Sequence, residues 1–311
     1  MGVSMPKMKG NPYIILFIGV LAVSTSAIFV KLATAEAGVI AFYRLFFSVL
    51  LMLPIFVLKY RKELRLIVKR DWILTIISGI FLAFHFIFWF ESLNYTSVAS
   101  STVLVTMQPL FAFIGAYLFF KEVITVKAII SAIVAIIGSV IISWGDFQVS
   151  GTALFGDILA LIACGLITGY LLFGQDVRKR MSLITYTFLV YSFSSITLLV
   201  YVVIKGEALF GHSNSDWMYF LLLAIIPTLL GHTLFNWSIK WISTTAISMA
   251  ILLEPVGAAI LAYYILEEYI MFSQVIGGVI IIIGILIFLM DQRKSKLHKH
   301  QQNERVVEEK R

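Results

Sequence analysis

Only one of the 17 carboxylates in this chain, Glu254, falls near the middle of a long apolar run. It lies about eleven residues into that run, roughly 16 Å along a helix. A carboxylate so placed either binds a proton, or accepts a hydrogen bond from a neighbouring helix and stays structural. At i+4 steps Ala246, Ala250, Glu254, Ala258 and Ala262 share one face. So narrow a face lets a second helix or a ligand approach the carboxylate. Gln108 holds the corresponding place in the first half of the chain, and each of the two precedes a proline, Pro109 or Pro255. Proline has no N–H to donate, so the carbonyls of Val105 and Ile251 lose their helical partners and both helices are expected to kink. Carbonyls freed in this way meet a ligand or are satisfied by a nearby hydroxyl.

Two histidines, His85 and His232, sit in matching apolar runs. Ser78, Leu82, His85, Trp89 and Ser92 share one helical face; Thr228, His232 and Asn236 share another. An aromatic ring beside a polar group suits an amphipathic, amino-acid-like ligand through stacking or cation–π contact. Equally, each histidine can serve as an interhelical hydrogen-bonder. Ser24 and Thr168 are further polar points within apolar runs. Arg44 is expected about two turns below one membrane surface, level with Lys31, Glu36 and Glu91. There it forms an outer ion-pair gate with Glu91, or a static anchor whose head snorkels to the surface. No cluster of His, Cys, Asp and Glu has ligand spacing, so no metal site is expected. No catalytic residue and no cofactor is expected either.

The elements that carry these residues are membrane helices. With 60% hydrophobic and 13% charged residues and a mean hydropathy of +0.97, the chain lacks the polar skin of a soluble protein. Ten apolar runs of spanning length are predicted, at 12–32, 38–58, 72–92, 97–119, 125–144, 152–174, 183–204, 216–238, 243–266 and 273–291. Of 24 basic residues, 21 fall in alternate loops and at the two ends, all on one side of the membrane. That asymmetry predicts both termini in the cytoplasm. It also assigns the +7 charge to orientation and contact with membrane lipid, so no nucleic-acid partner is expected. Lys7 and Lys9 ahead of the first run imitate a signal peptide, but the run is read as an uncleaved span. The single cysteine, Cys164, lies within a span.

The runs repeat. Asp71-Trp72, His85, Pro109, Glu122 and Gly138 recur as Asp216-Trp217, His232, Pro255, Glu268 and Gly284, offset by 145 to 147 residues. Each copy holds five runs, and an odd number inverts the second copy relative to the first. Mirrored halves of this kind hold a site near the bilayer midplane and expose it alternately to each side, the plan of secondary transporters. The expected units are 12–144 and 152–291, joined by a short turn at 145–151, with a charged cytoplasmic tail at 292–311.

The chain resembles the drug/metabolite transporter superfamily, in its ten-span form with two EamA domains. The likeness is carried by Ala37-Gly38-Val39-Ile40-Ala41-Phe42-Tyr43-Arg44, by Pro109 to Lys121-Glu122 with Gly138, and by Glu254-Pro255 to Glu267-Glu268 with Gly284. It implies an all-α integral-membrane fold of two inverted repeats and a multi-pass permease of a bacterial plasma membrane. Its expected activity is efflux of amino acids, related small metabolites or drugs. With the placement of the polar residues, it implies a substrate cavity between spans 1, 3, 4, 6, 8 and 9. Ser24, His85, Trp89, Gln108, Thr168, His232, Asn236 and Glu254 are its candidate substrate-binding residues, and Pro109 and Pro255 its candidate helix kinks.

No Walker-type phosphate loop, H-E-x-x-H or G-x-S-x-G occurs in the sequence. Direct ATP drive is therefore unsupported, and an intramembrane enzyme acting on a lipid-borne substrate is a weak second reading. A channel wants a continuous polar path, whereas here isolated polar points stand between apolar plugs; a non-transporting sensor stays open. Glu122 and Glu268 are read as structural groups at opposite surfaces. Gly138, Gly277-Gly278 and Gly284 predict close packing by spans 5 and 10, as scaffold or as the contact of a homodimer.

Overall fold

The computed structural model describes residues 11–96, 98–143, 151–267 and 269–308. Nine helices among them are long and apolar enough to cross a membrane: Pro12–Leu32, Ala37–Leu66, Lys69–Ser92, Ser100–Phe120, Thr152–Val177, Leu183–Lys205, Asn214–Ser238, Thr244–Ile265 and Phe272–Gln292. The remaining expected span is the shorter apolar helix Val126–Ile142. We number the ten as spans 1 to 10 in chain order. Helix is the natural state of such runs, because it satisfies every backbone group within the segment. Polar side chains mark the ends. Asn11 accepts from the Tyr13 N–H ahead of span 1, Ser182 caps span 7, and Ser213 with Asp216 forms a capping box on span 8. The expected joining turn, Lys7, Lys9 and Glu268 lie outside the described residues, apart from Gly151.

Five spans are interrupted, span 2 by a π-helix over Phe56–Tyr60 and a 3-10 helix over Arg61–Leu66. Span 1 breaks at Thr25, whose hydroxyl donates to the Ala22 carbonyl. Span 4 breaks at Met107 and span 9 at Leu252 and Leu253, just before the Gln108-Pro109 and Glu254-Pro255 pairs. Span 8 winds as a π-helix over Ala224–His232 around Pro227, with the Thr228 hydroxyl reaching back five residues to the Leu223 carbonyl. A π-turn takes up an extra residue. This one lies between Asp216 and His232, where the repeat offset rises from 145 to 147 before settling at 146 by Ser92 and Ser238. The repeat also survives in backbone detail: Lys121 and Glu267, 146 residues apart, both end their helices with a left-handed φ, 54° and 57°.

Spans 5 and 10 pack side by side, span 3 lies against spans 6 and 7, span 2 against span 7, and span 1 against span 8. Large apolar side chains such as Leu21, Ile133, Val203 and Ile283 face outward, as lipid contact requires. The glycines of spans 5 and 10 meet each other within one chain. A Cβ on Gly138 would stand 2.6 Å from the Gly277 carbonyl oxygen, and one on Gly284 would stand 2.8 Å from Ala135. These glycines therefore belong to the scaffold alternative. Their small face is already covered within the chain.

Candidate functional site

The helix breaks of spans 4 and 9 meet at a central cavity of about 20 Å³, room for roughly one water. All six expected spans contribute to its wall. The polar part is His85 and Trp89 from span 3, Gln108 from span 4, His232 from span 8 and Glu254 from span 9. Val23, Val105, Ile167, Leu171, Phe235 and Ile251 complete it. His85 and Trp89, one turn apart, stack with ring centroids 5.7 Å apart. The His85 Nδ1 lies 3.0 Å from the Ala163 carbonyl of span 6, which fixes the ring.

Several wall atoms have no hydrogen-bond partner among the described residues: Trp89 Nε1, Gln108 Oε1 and His232 Nδ1. The Glu254 side chain is 5% exposed, and its carboxylate enters none of the ion pairs among the described residues. Buried polar atoms are ordinarily satisfied. Three such exceptions cluster around this one cavity.

Three expected site residues lie behind this wall. The Ser24 hydroxyl donates to the Val20 carbonyl at 2.9 Å and reaches the Glu254 carbonyl at 3.3 Å, tying the broken span 1 to the broken span 9. Thr168 donates to Cys164, four residues back in its own helix. Asn236 donates to the His232 carbonyl and to the Tyr170 hydroxyl.

Arg44 is not where the surface gate requires it. Its side chain is fully buried, with Nε donating to Thr228 and Nη1 to Ser26, each at 2.7 Å. The guanidinium lies 4.2 Å from the Phe86 ring centroid. Glu91 instead accepts from Asn94. The arginine turns inward because hydroxyls at the break of span 1 and the π-segment of span 8 offer it partners, so it has no need to snorkel. The Arg44–Glu91 ion pair is therefore not formed.

Sequence reasoning missed the buried hydroxyls that surround this centre. Tyr170, Tyr186 and Tyr191 are fully buried, with Tyr186 hydrogen-bonded to Ser78 and Tyr191 to Thr233. A tyrosine in an apolar run reads as packing, and only its neighbours reveal the role of its hydroxyl. Glu122 is held by Gln175 at 3.1 Å, while Gln175 also accepts from the Thr244 N–H.

Two larger hollows open at the surfaces. One of about 530 Å³, beside the start of span 1 and the end of span 10, is lined by Tyr13, Glu122, Thr125, Trp241, Thr245 and Asp291 among others. One of about 190 Å³ on the opposite face includes Lys31, Phe90 and Asn94. The walls of neither include His85, Gln108, His232 or Glu254, so the central cavity is a separate chamber.

Known proteins agree with this architecture. The EamA-like transporter family matches residues 11–144 and 154–290. An uncharacterized transporter of Archaeoglobus fulgidus is 24% identical over 88% of this chain and 94% of its own. An S-adenosylmethionine uptake transporter of Rickettsia prowazekii is 28% identical over 84% and 86%. An uncharacterized transporter of Bacillus subtilis is 29% identical, and the match spans 62% of each chain. One crystal structure superposes with a TM-score of 0.74 over 91% of this chain and 98% of its own, at 17% identity, a likeness of fold alone. Two matched segments covering most of the chain, on ten apolar helices, describe a multi-pass plasma-membrane transporter of small molecules rather than an enzyme: the chain belongs to the EamA-like transporter family.

Proposed function

We propose that the chain is a secondary carrier that exports amino acids or related small metabolites by alternating access. Ser24, His85, Trp89, Gln108, Thr168, His232, Asn236 and Glu254 form or brace its cargo site, and Pro109 and Pro255 its hinges. The observation that carries this reading is the central chamber. It is narrow, built from both repeats at their helix breaks, and lined by polar atoms without partners among the described residues. So narrow a chamber between mirrored halves suits a carrier that alternates better than the continuous path of a channel. The aromatic and aliphatic wall beside a carboxylate suits a small amphipathic cation or zwitterion. A relative named for uptake of S-adenosylmethionine, a metabolite with an amino-acid end, supports that class.

Direction follows from coupling. If one carboxylate, Glu254, holds either a proton or the cargo, the two exchange, and an inward proton gradient drives the cargo out. The relative's name favours uptake as the second reading. Any homodimer through spans 5 and 10 would use their outward faces, around Ile133 and Ile283, rather than the covered glycines.

Counterflow in proteoliposomes tests the carrier, with a panel of labelled amino acids and small metabolites and protein-free vesicles as control. Accumulation of a label against its unlabelled form is expected. An imposed pH gradient then assigns direction: export predicts that label moves toward the acidic compartment. Absence of exchange for every panel member by folded protein would remove the amino-acid reading.

A further inference from the structure

A guanidinium and a carboxyl group are buried in the same core, and neither meets an oppositely charged side chain among the described residues. Arg44 has hydroxyl partners on Nε and Nη1, but its Nη2 has no partner among the described residues and its side chain is fully buried. Glu254 is nearly as buried, and its carboxylate has no hydrogen bond or ion pair among them. Phe86 stands between the arginine and the chamber. One side of its ring packs on the guanidinium at 4.2 Å, and it meets the His232 ring edge-on at 5.7 Å. His232 is itself chamber wall. The guanidinium is thus one aromatic layer behind the site.

Leaving either charge without a counter-charge in a low-dielectric interior is costly. The chamber must also enlarge to load anything bigger than a water, and a shift of Phe86 with His232 would enlarge it toward the Arg44 guanidinium. A purely cationic cargo would satisfy Glu254 and leave Nη2 unmatched. A purely anionic one would do the reverse. A cargo with both groups matches both, with the guanidinium fork suited to a carboxylate.

We propose that Arg44 is a specificity-determining residue of this carrier, reading a carboxylate on the cargo while Glu254 reads its cationic group. The inference rests on the central chamber being the cargo site. It explains why a family member keeps a fully buried arginine against hydroxyls and a phenyl ring, with one donor edge left over.

The test is counterflow by the full chain in proteoliposomes with matched triplets. For each of several amino acids, the zwitterion is compared with its decarboxylated amine and its deaminated acid, for example phenylalanine, phenethylamine and 3-phenylpropanoate. Wild type should exchange zwitterions in preference to both partners. Arg44→Gln should weaken the apparent affinity for the zwitterion by about tenfold or more, leave the amine unchanged, and so erase the preference. Arg44→Lys should restore part of it. Because Arg44 also braces spans 1 and 8, Glu254→Gln gives the mirror readout, weakening the apparent affinity for amine and zwitterion relative to that for the acid. Equal exchange of amine and zwitterion by wild type would overturn the inference, as would an unchanged ratio in both variants. If only uncharged metabolites exchange, the carrier reading stands and the role of Arg44 falls. If nothing exchanges, both fall.

Discussion

Asp71 and Asp216, 145 residues apart, each clasp the turn that follows the first helix of the opposite repeat. Asp71 holds Arg180 through both oxygens, at 2.7 to 3.2 Å. Asp216 holds the backbone N–H and hydroxyl of Thr34, at 2.7 and 2.9 Å. The contacts are mirror images on opposite faces, one charged and one neutral. Their neighbours are mirrored too. Glu63 accepts from Ser182 and Thr185 at the start of span 7, and Glu207 accepts from the Val39 N–H at the start of span 2.

The two clasps should therefore answer differently to salt. Asp71→Asn should lower stability by about 1 kcal/mol at low ionic strength and less at high, because Arg180 is partly exposed and screened. Thr34→Ala should cost a similar amount, about 1 kcal/mol, with little salt dependence. Thermal unfolding in detergent across a salt series checks both. Equal salt slopes would contradict the assignment of charge to one face.

Glu254→Gln should retain folding but remove any dependence of transport on a proton gradient, since no other carboxylate lines the chamber. Uptake or release driven by an imposed pH step is the measurement. A variant with wild-type pH dependence would take proton coupling away from this residue.

His85→Ala should raise the concentration of cargo needed for half-maximal counterflow while leaving the maximal rate less affected. The ring faces the chamber beside Trp89 and is anchored from behind by Ala163. Loss of binding contact alone predicts a change of about 1 kcal/mol, near fivefold. An unaltered apparent affinity would make the histidine a bridge between spans 3 and 6 only.

Gly138→Ala should destabilise the protein by about 1–3 kcal/mol, because the added carbon meets the backbone of span 10. Gly278→Ala is the control: its nearest neighbours are Val256 side-chain carbons at 3.6 and 3.7 Å, so it should be neutral or slightly stabilising. Melting in detergent separates the two.

Glu207 lies beyond the end of span 7. Burial first, then the like charges of Glu36 and Glu91, push its carboxyl above the ordinary value of 4.5. The folded chain then holds this proton more tightly than the unfolded chain does. Its contribution to stability is present at low pH and is lost as pH rises from 4.5 through the raised folded value. Glu207→Gln should flatten that slope in unfolding measured between acidic and neutral pH, whereas a persisting slope would assign it to another group.

The ten apolar runs, their inversion and the central placement of Gln108 and Glu254 were all legible from the sequence. They depend on length, on hydropathy and on the missing N–H of proline, which are properties of neighbouring residues. Where Arg44 points was not legible. Its partners Ser26 and Thr228 come from spans 1 and 8, and no local pattern announces a contact across 184 residues. The same holds for the glycines of spans 5 and 10. Their spacing announces close packing, and only the tertiary fold decides that the packed surface is the other repeat. Of the eight expected site residues, five line the chamber while Ser24, Thr168 and Asn236 brace it from behind. Helical periodicity places a residue on a face, but whether that face meets a cavity or another helix depends on how spans tilt and break. The π-turn at Pro227 shifts the face of span 8 by a residue, and it becomes visible only once the helix is built.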